Sequence, residues 1–457
     1  MPNIMNINEE DINSFEKCRK YTVSIIECGE MGVAYAYLFA NAGFQVIGVN
    51  ANPHILKLLK RGRFPFFKDK AYGTLEKYVK EGIFTASSDA RKAVSESDII
   101  VIALQTIIDK NKKPNYSLLE KTCKEVGMGL KKGSLILFVS ATGPGIVESA
   151  MREVLEKASG LKAGVDFGLA SSPIDTNSLE KFSEVSRSPR VVGALDELSL
   201  RTASFILSKI TNSKIMKVSN IRTAEVVNLF QSICNETNLA LANEFAFLCE
   251  KLKIDLLEVL KIANKDSKFR LLLPGIADDL FQKELYLLLE EAENVNFNLR
   301  LPLLARKIND EIVEYTFRLV KDALKVCGKT VRRAKVSVLG VSKHPNTKKQ
   351  PGTLTENIIN LLKKKVRTVQ IYDPFFSKKE LTELGFEAET LSKATEGTDC
   401  IIILVGHSKF ERLNLKKIKF LAKKSPAIVD MAHVIDPLKA EKYGFVYRGL
   451  GRGVWTR

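Results

Sequence analysis

The stretch SIIECGEMGVAYAYLFANAGFQVIGVN, residues 24–50, predicts the start of an α/β domain. A short apolar run is followed by a turn with glycines at 29 and 32, a helix-length apolar segment, and a second short run, QVIGV. Short apolar runs separated by one helical segment are typical of parallel strands joined by a crossover helix. Glycines directly after the first run allow the tight turn that such a unit needs. The stretch therefore predicts a strand–helix–strand unit.

The turn differs from the G-x-G-x-x-G fingerprint of dinucleotide-binding domains at its first position. Glu27 stands where the first glycine is expected, whereas Gly29 and Gly32 match the second and third. Asn50 replaces the acid that would hold the cofactor ribose. The carboxylate of Glu27 either takes the phosphate position at the helix N-terminus or points to solvent. We interpret Gly29, Gly32 and Asn50 as the remaining cofactor-binding positions and expect nicotinamide binding to be weak or absent.

The rest of the chain repeats the alternation of strands and helices. Buried-strand patterns recur in TVSII, QVIGV, DIIVIAL, SLILFVS and FGLASSP, and again in KVSVLGV, TVQIYDP, CIIILVG and AIVDMA. Residues 219–265, in contrast, have helical periodicity without a strand pattern. We predict an α/β protein with two doubly wound Rossmann-like domains joined by a central helical domain. The predicted boundaries are an extension (1–20), an N-terminal Rossmann-like domain (21–212), a helical dimerisation domain (213–325) and a C-terminal α/β domain (326–457).

Composition restricts the class of protein. The chain has 457 residues, 45% of them hydrophobic, but lacks a run of about 20 apolar residues that could span a membrane. Its N-terminus is acidic and lacks the apolar core of a secretory signal. Seven scattered cysteines indicate reduced thiols, and four scattered histidines show no metal-ligand spacing. We expect a cytoplasmic protein without a metal site.

The positive charge is concentrated in the last third of the chain. From residue 325 onward there are 27 lysines and arginines against 12 acids, whereas the net charge of the whole chain is +17. Such an excess is either a solvated basic face or a surface for phosphates, nucleic acid or acidic lipid. The lysines are not interleaved with aromatic residues in a stacking pattern. We therefore expect no nucleic-acid partner.

Several stretches carry a resemblance to a known family. They are VIGVNANP, SGLKAGVDFGLASSP, PRVVGALDE, TAEVVNLFQS, NLALANEFAFLCEKLKID, RKINDEIVEY, VSVLGVSK, YDPFF, HSKFERL and YRGLGRG. In this order they resemble the UDP-glucose/GDP-mannose dehydrogenases, in particular the branch acting on UDP-N-acetylhexosamines such as UDP-N-acetylmannosamine. The resemblance implies NAD as cofactor, a UDP-sugar site in the C-terminal domain, and a two-step oxidation of a sugar alcohol to a carboxylate through a covalent cysteine intermediate.

The catalytic positions implied by the resemblance are altered. In PGIADDLFQK the cysteine position is Leu280, which cannot form a thioester. The lysine of the central helix is Asn228, and the asparagine one turn later is Ser232. The glutamate expected after Ser-Pro is Ile174, and the threonine expected in SATGPG is Ala141, with Thr142 following. We therefore predict no catalytic residue, with Asn228 and Ser232 kept as substrate-contacting positions.

Substrate anchors in the C-terminal domain are altered too. The lysine and arginine that grip the nucleotide sugar correspond to His344 and Pro351, and the acidic pair between them is Lys348 and Lys349. We keep His344 as a substrate-binding position. Three hypotheses follow. The first is a binding or regulatory pseudoenzyme, whose partner could be an active paralogue. The second is a divergent NAD(P)-dependent oxidoreductase on a UDP-sugar. A third is a nucleotide-sugar binding module using the basic C-terminal domain.

A homodimer is also expected, through the helix around residues 219–250. Its apolar positions exceed what one face within the chain would bury. They are Val226, Leu229, Phe230, Ile233, Leu239, Leu241, Phe245 and Leu248.

Overall fold

The computed structural model describes residues 4–63, 72–174, 182–266, 270–277 and 282–455. The chain divides into two compact units: a first unit of residues 1–233 and 283–299, and a second unit of residues 234–282 and 300–457. Among the described helices, none combines the length and the apolar character needed to cross a bilayer.

The strands, in chain order, are β1 Thr22–Ile26, β2 Gln45–Val49, β3 Phe84–Ser87, β4 Ile99–Ile102, β5 Ile107–Ile108, β6 Pro114–Asn115, β7 Leu135–Phe138, β8 Gly168–Ser171, β9 Arg190–Ala194, β10 Ile215–Lys217, β11 Lys335–Leu339, β12 Thr368–Tyr372, β13 Cys400–Ile403, β14 Ala427–Asp430 and β15 Val446–Gly449.

The α-helices are α1 Phe15–Cys18, α2 Glu30–Ala42, α3 Pro53–Leu59, α4 Tyr72–Lys80, α5 Ala90–Ser95, α6 Ser117–Gly129, α7 Arg152–Ser159, α8 Phe182–Arg187, α9 Glu197–Ile210, α10 Ile221–Leu252, α11 Leu256–Ala263, α12 Gln282–Asn294, α13 Arg300–Asp310, α14 Ile312–Val326, α15 Thr353–Lys365, α16 Lys378–Glu383, α17 Leu391–Thr395, α18 Ser408–Glu411, α19 Leu415–Leu421 and α20 Pro437–Lys442. Short 3₁₀ turns lie at Ile4–Asn6, Glu9–Ile12, Val331–Arg333 and Gly453–Trp455, and a π-helical turn at Val147–Met151.

The first unit contains an eight-stranded sheet in the order β10-β9-β8-β7-β4-β1-β2-β3. All pairings are parallel except β8 with β9. Alternate residues of the central strands enter two buried clusters, one on each face: Val101 lies in one and Ile100 in the other. The predicted doubly wound domain is confirmed. The strand order reverses between β1 and β4, which is where such sheets bind ligands.

Three strands of this sheet were not predicted. β3, β9 and β10 have the sequences FTAS, RVVGA and IMK. β3 and β10 lack the continuous apolar run that marks a buried strand, whereas β9, with five residues, is as long as β1 and β2. Their pairing with neighbouring strands, a tertiary property, decides their conformation.

The N-terminal extension is partly helical and contributes to the core of the first unit. Ile4, Ile7 and Ile12 are buried in the same cluster as β1 and α2. The hydroxyl of Thr202 on α9 donates to the carbonyl of Met5 at 3.2 Å. The extension is therefore packed into the first unit.

The second unit contains a five-stranded parallel sheet in the order β12-β11-β13-β14-β15. This is the second common doubly wound order, with its reversal between β11 and β13. Buried clusters cover both faces, one formed with α14 and α15 and the other with α19 and α20. Four of the five strands were predicted. β15 was not.

Helices α10 and α11 occupy the segment 219–265 that was predicted to be helical. α10 is 32 residues long and carries residues of both units, because the division falls after Ile233. The three-domain boundaries given by the sequence stay a prediction.

Candidate functional site

The turn after β1 keeps a glycine-like backbone although its first position is glutamate. Glu27 has φ of 57°, in the left-handed region that favours glycine. A Cβ added at Gly32 would lie 3.0 Å from the Glu27 carbonyl oxygen, so α2 packs closely on this turn. At Gly29 an added Cβ would meet only that same oxygen, at 3.8 Å. The turn has the form that the fingerprint needs, with open space at its second glycine.

The N-cap residue of α2 is Gly29, which has no side chain that could accept a hydrogen bond from the first turn of the helix. The side chain of Glu27 is half-buried, and burial together with the carboxylate of Glu125 raises the pKa of Glu27. The two positions considered for the Glu27 carboxylate, at the phosphate site or towards solvent, both stay predictions.

Asn50 lies at the carboxyl end of β2, as the fingerprint requires. It is buried, and its Oδ1 accepts the backbone N–H of Asn52 at 2.9 Å. One of its two polar atoms is thus committed to the turn that leads into α3. A neutral amide in this arrangement cannot provide the bidentate, charge-assisted contact that a carboxylate makes with two ribose hydroxyls.

The loop after β7, residues 141–145, is held by one buried carboxylate. Glu225 of α10 accepts the backbone N–H of Gly145 at 2.6 Å and the hydroxyl of Thr142 at 2.8 Å. A weaker bond comes from the N–H of Val147 at 3.4 Å. Burial raises the pKa of Glu225 to about 7. The sequence motifs did not identify Glu225; an acid in an otherwise apolar helix segment, TAEVVNLF, was the available signal.

Asn228 and Ser232 follow Glu225 on the same face of α10, one and two turns later. Both are buried, with exposures of 6% and 1%. Within the described residues, the Oδ1 of Asn228 and the Oγ of Ser232 have no hydrogen-bond partner. Buried polar atoms without partners are rare and costly, and they mark places where a ligand or water completes the structure. The substrate-contacting role of Asn228 and Ser232 stays a prediction.

A tyrosine–glutamate pair lies beside the same loop. The hydroxyl of Tyr116 donates to the Oε2 of Glu290 on α12 at 3.1 Å, and a Cβ added at Gly143 would lie 2.5 Å from this hydroxyl. Burial, and then the neighbouring Glu290, raise the pKa of Tyr116. Burial also raises the pKa of Glu290. The pair joins residues 174 positions apart, so the sequence offered no signal for it.

Two other positions at which the chain departs from the family motif, Ala141 and Ile174, also lie in the first unit. Ala141 is buried against Leu229 and Leu287, and Ile174 is buried in the main cluster. Both are apolar side chains that cannot exchange protons. The structure therefore places Ala141 in a packing role against Leu229 and Leu287.

In the second unit, three asparagine amides hold the segment 270–277, which precedes the cysteine position. Asn243 accepts from the N–H of Gly275 at 2.8 Å and donates to its carbonyl at 3.1 Å. Asn264 pairs in the same way with both backbone groups of Leu271. Asn238 bonds the carbonyl of 270 and the N–H of 272. The amide side chains thus bond the backbone N–H and C=O groups of this segment, as the backbone of a neighbouring strand would do in a sheet. Asp278, Asp279 and Leu280 lie outside the described residues.

His344 lies in the loop after β11 and is 6% exposed. Burial, and then the charges of Lys349 and Lys343, lower its pKa to about 4. Its Nε2 has no hydrogen-bond partner among the described residues. A neutral imidazole therefore stands where the resemblance implies a lysine. Lys348, which replaces an acid, forms an ion pair with Glu380 at 2.5 Å.

Sequence analysis missed a buried polar group at the carboxyl ends of β11, β12 and β13. Asp373 accepts from the N–H and the hydroxyl of Ser342 and contacts the Nε2 of His407 at 3.0 Å. The Nδ1 of His407 accepts the N–H of Asn346 at 2.9 Å, which places the imidazole proton on Nε2. The group fixes the loop that carries His344. Polar residues directly after three predicted strands were the available signal.

Three models of one family match the chain in order. The NAD binding domain of the UDP-glucose/GDP-mannose dehydrogenase family matches residues 21–211, its central domain 222–311 and its UDP binding domain 337–437. The chain belongs to the UDP-glucose/GDP-mannose dehydrogenase family. The resemblance inferred from sequence is confirmed.

Similar proteins within this family cover nearly the whole chain. The UDP-N-acetyl-D-mannosamine dehydrogenase of Pyrococcus horikoshii is 26% identical over 94% of this chain and 99% of the relative. The UDP-N-acetyl-D-glucosamine 6-dehydrogenase of Pseudomonas aeruginosa is 25% identical over 92% and 98%. The solved structure of the Pyrococcus horikoshii UDP-D-ManNAc dehydrogenase matches with a TM-score of 0.86 at 25% identity, covering 95% of this chain and 100% of that one.

Family membership implies NAD, and the first unit fits this cofactor in part. The turn at Gly29 is open and the N-cap residue of α2 is a glycine, which suits the close approach of a pyrophosphate. Glu27 and Asn50 do not suit it, because one adds negative charge beside the phosphates and the other lacks the ribose-binding carboxylate. Among the described residues, no group of three or more His, Cys, Asp or Glu side chains could hold a metal ion.

Proposed function

We propose that this chain is a nucleotide-sugar dehydrogenase homologue that has lost the NAD-dependent oxidation chemistry and acts as a binding or regulatory pseudoenzyme. The observation that carries the proposal is Leu280 at the cysteine position. A leucine has no lone pair with which to attack an aldehyde, so no thiohemiacetal and no thioester can form. Oxidation to the carboxylate requires that covalent step in the family.

The environment of Asn228 supports the same conclusion. A buried amide at the lysine position offers hydrogen bonds but no positive charge to an oxyanion. Removal of one such stabilising group typically lowers kcat by roughly 100- to 1,000-fold. The losses at Asn228 and Leu280 belong to one reaction, so they will not simply add.

Binding is supported by what the chain retains. The loop 141–145 is fixed by Glu225, and the segment 270–277 is fixed by Asn243, although neither leads to a catalytic side chain. Asn228 and Ser232 keep buried polar atoms without partners within the described residues. These are features of a ligand site. The relatives named for UDP-N-acetyl-D-mannosamine and UDP-N-acetyl-D-glucosamine make a UDP-N-acetylhexosamine the ligand of choice.

A turnover assay tests the loss of chemistry. NADH formation at 340 nm should stay at background with UDP-glucose, UDP-N-acetylglucosamine and UDP-N-acetylmannosamine, while the Pyrococcus horikoshii relative serves as positive control. Leu280→Cys should also stay at background, because Asn228 and Ile174 remain. Calorimetry with the same sugars should show binding. A wild-type signal that scales with protein concentration would overturn the proposal.

A divergent oxidoreductase is the second candidate. It is favoured by Tyr116, whose hydroxyl bonds Glu290 beside the loop 141–145. A phenol with a carboxylate partner can exchange a proton in one-step alcohol chemistry that needs no thiol. This candidate predicts slow NAD(P)H formation that Tyr116→Phe abolishes, whereas the pseudoenzyme proposal predicts no formation in either protein.

The homodimer is likewise a proposal. On α10, Leu241, Phe245 and Leu248 are exposed at the i, i+4, i+7 spacing of one face, whereas the predicted interface positions Leu229, Ile233 and Leu239 are buried within the chain. α11 and α13 of the second unit also carry exposed large apolar residues: Val259, Ile262, Leu301 and Leu304. Exposed apolar residues repeated along one helix face are typical of an interface between subunits.

A further inference from the structure

Helices α19 and α20 lie side by side on one face of the second unit's sheet. Leu415 and Ile418 of α19 share a buried cluster with Ala440 of α20. The ammonium of Lys419 donates to the carbonyl of Gly444, just after α20, at 2.7 Å. The outward faces of the two helices therefore belong to one continuous surface.

This surface combines lysines with large exposed apolar side chains. Phe420 is 88% exposed and Leu438 is 69% exposed, with Tyr443 close to Leu438 in the chain. The exposed lysines of α19, α20 and the loop after α19 are Lys416, Lys417, Lys423, Lys424, Lys439 and Lys442. Lys423 pairs with Asp399 at 2.7 Å, and Lys439 lies 4.0 Å from the carboxylate of Asp436. The exposed acids on α20 and at its cap are Asp436 and Glu441. We call this the α19–α20 surface.

The apolar residues distinguish this surface from a merely solvated basic face. After residue 330, the described chain has four exposed large apolar side chains, and three of them are Phe420, Leu438 and Tyr443. The lysine run 363–365 at the end of α15, which packs on the opposite face, has no such neighbour in sequence. Concentration of both charge and apolar area in one place points to a ligand that offers both.

We propose that the α19–α20 surface binds the anionic surface of a lipid bilayer. Lysine ammonium groups are attracted to acidic headgroups. Their aliphatic stems can lie along the apolar boundary while the charges stay in the headgroup layer. The side chains of Phe420 and Leu438 are exposed on their helices and can insert into the boundary between the headgroups and the acyl chains. The proposal concerns peripheral binding and is independent of whether the chain oxidises a sugar.

Nucleic acid is a less suitable partner for this surface. Single strands are bound by aromatic residues that alternate with basic ones along a groove. Here the exposed aromatic residues Phe420 and Tyr443 and the aliphatic Leu438 are distributed over two helices and do not alternate with lysines in sequence. An aliphatic residue such as Leu438 gains contact with acyl chains but offers nothing to phosphates.

Co-sedimentation of the full chain with vesicles tests the proposal. Binding is expected to vesicles of phosphatidylcholine with phosphatidylglycerol at 7:3, to weaken with salt, and to be absent with phosphatidylcholine alone. Phe420→Ser should lower partitioning roughly tenfold. The double variant Lys416→Ala/Lys417→Ala should lower it roughly thirtyfold. The matched control Lys364→Ala/Lys365→Ala removes the same charge from the opposite face and should have little effect.

A fluorescence measurement reports insertion directly. In Phe420→Trp, emission should shift to the blue when acidic vesicles are added, whereas the wild-type chain, whose single tryptophan is Trp455, should not change. Equal binding to both vesicle types, equal losses in the control pair, or an unshifted tryptophan would overturn the proposal. So would duplex DNA binding that needs the lysines but not Phe420, or self-association that depends on Phe420.

Discussion

At the scale of single residues, Glu27 shows that a substitution can preserve a turn and alter its chemistry. Its backbone adopts the left-handed conformation that glycine would adopt freely. Burial, and then the charge of Glu125, raise the pKa of the Glu27 carboxyl group. The turn is therefore strained and negatively charged, although its shape is that of a dinucleotide-binding turn.

Replacing Glu27 should separate strain from charge. Glu27→Gly should raise the free energy of unfolding by about 1 kcal/mol, because a non-glycine residue at this φ is strained. It should also strengthen NAD binding, and Asn50→Asp should add to this by restoring a ribose carboxylate. Thermal unfolding and calorimetry with NAD measure the two effects.

Glu27→Ala is the matched control, since it removes the charge but keeps the Cβ. It should improve NAD binding without the gain in stability. Micromolar NAD affinity in the unmodified chain would show that Glu27 does not weaken the site.

Protonation of Glu225 provides a second test at this scale. Its folded-state pKa of about 7 lies above the ordinary value of 4.5, so the folded protein binds the proton more tightly than the unfolded chain. Its contribution to stability is then present at low pH and is lost as the pH rises from about 4.5 to 7. In Glu225→Gln this pH dependence should vanish. As the pH rises from 4.5 to 8, the free energy of unfolding of the variant should therefore increase by roughly 3 kcal/mol relative to that of the wild type.

Only the pH dependence of the difference in unfolding free energy between the wild type and Glu225→Gln tests the raised pKa of Glu225. The glutamine side chain of the variant would lose some bonds to the loop at every pH, which adds a constant offset. Parallel unfolding curves for the two proteins across this range would contradict the assignment.

At the scale of elements, the segment 270–277 keeps its scaffold without its catalytic residue. Asn243 pairs with both backbone groups of Gly275 and donates in addition to the Oδ1 of Asn309. Asn243 is fully buried, as is Asn309. Such networks are specific because each member would be left unsatisfied if one were removed.

Asn243→Ala should therefore lower the free energy of unfolding by about 2–3 kcal/mol, since it leaves buried groups of Gly275 and Asn309 without partners. Hydrogen exchange of the Gly275 amide should accelerate. Asn238→Ala, which removes similar bonds at a partly exposed position, should cost less. If both variants lose the same amount, burial of the network is not what matters.

At the scale of the whole molecule, the exposed face of α10 is the feature that the fold of one chain leaves uncovered. Leu248→Glu should place a charge within the proposed subunit interface and convert the dimer to a monomer, as measured by analytical ultracentrifugation at micromolar concentration. Val165→Glu alters another exposed apolar residue, on the first unit, and should leave the dimer intact. A monomeric wild type would count against the interface.

Sequence periodicity was sufficient to predict most of the fold. Nine strand patterns matched strands of the two sheets, because buried parallel strands require continuous apolar runs. The strands β3, β9, β10 and β15 were missed; they lie at or next to sheet edges, where a strand needs fewer apolar residues. For the site, Asn228, Ser232 and His344 could be chosen from sequence because they align with motif positions.

The sequence by itself determined the family, the two doubly wound sheets and the absence of a thiol at position 280, because each depends on local pattern or on the identity of one residue. Only the tertiary structure decided how those residues are used. It placed Glu27 in a left-handed turn, joined Glu225 to the loop 141–145, and left Asn228 buried without a partner for its Oδ1 among the described residues. The physical reason is that hydrogen bonding, burial and pKa depend on groups distant in sequence, which no local pattern specifies.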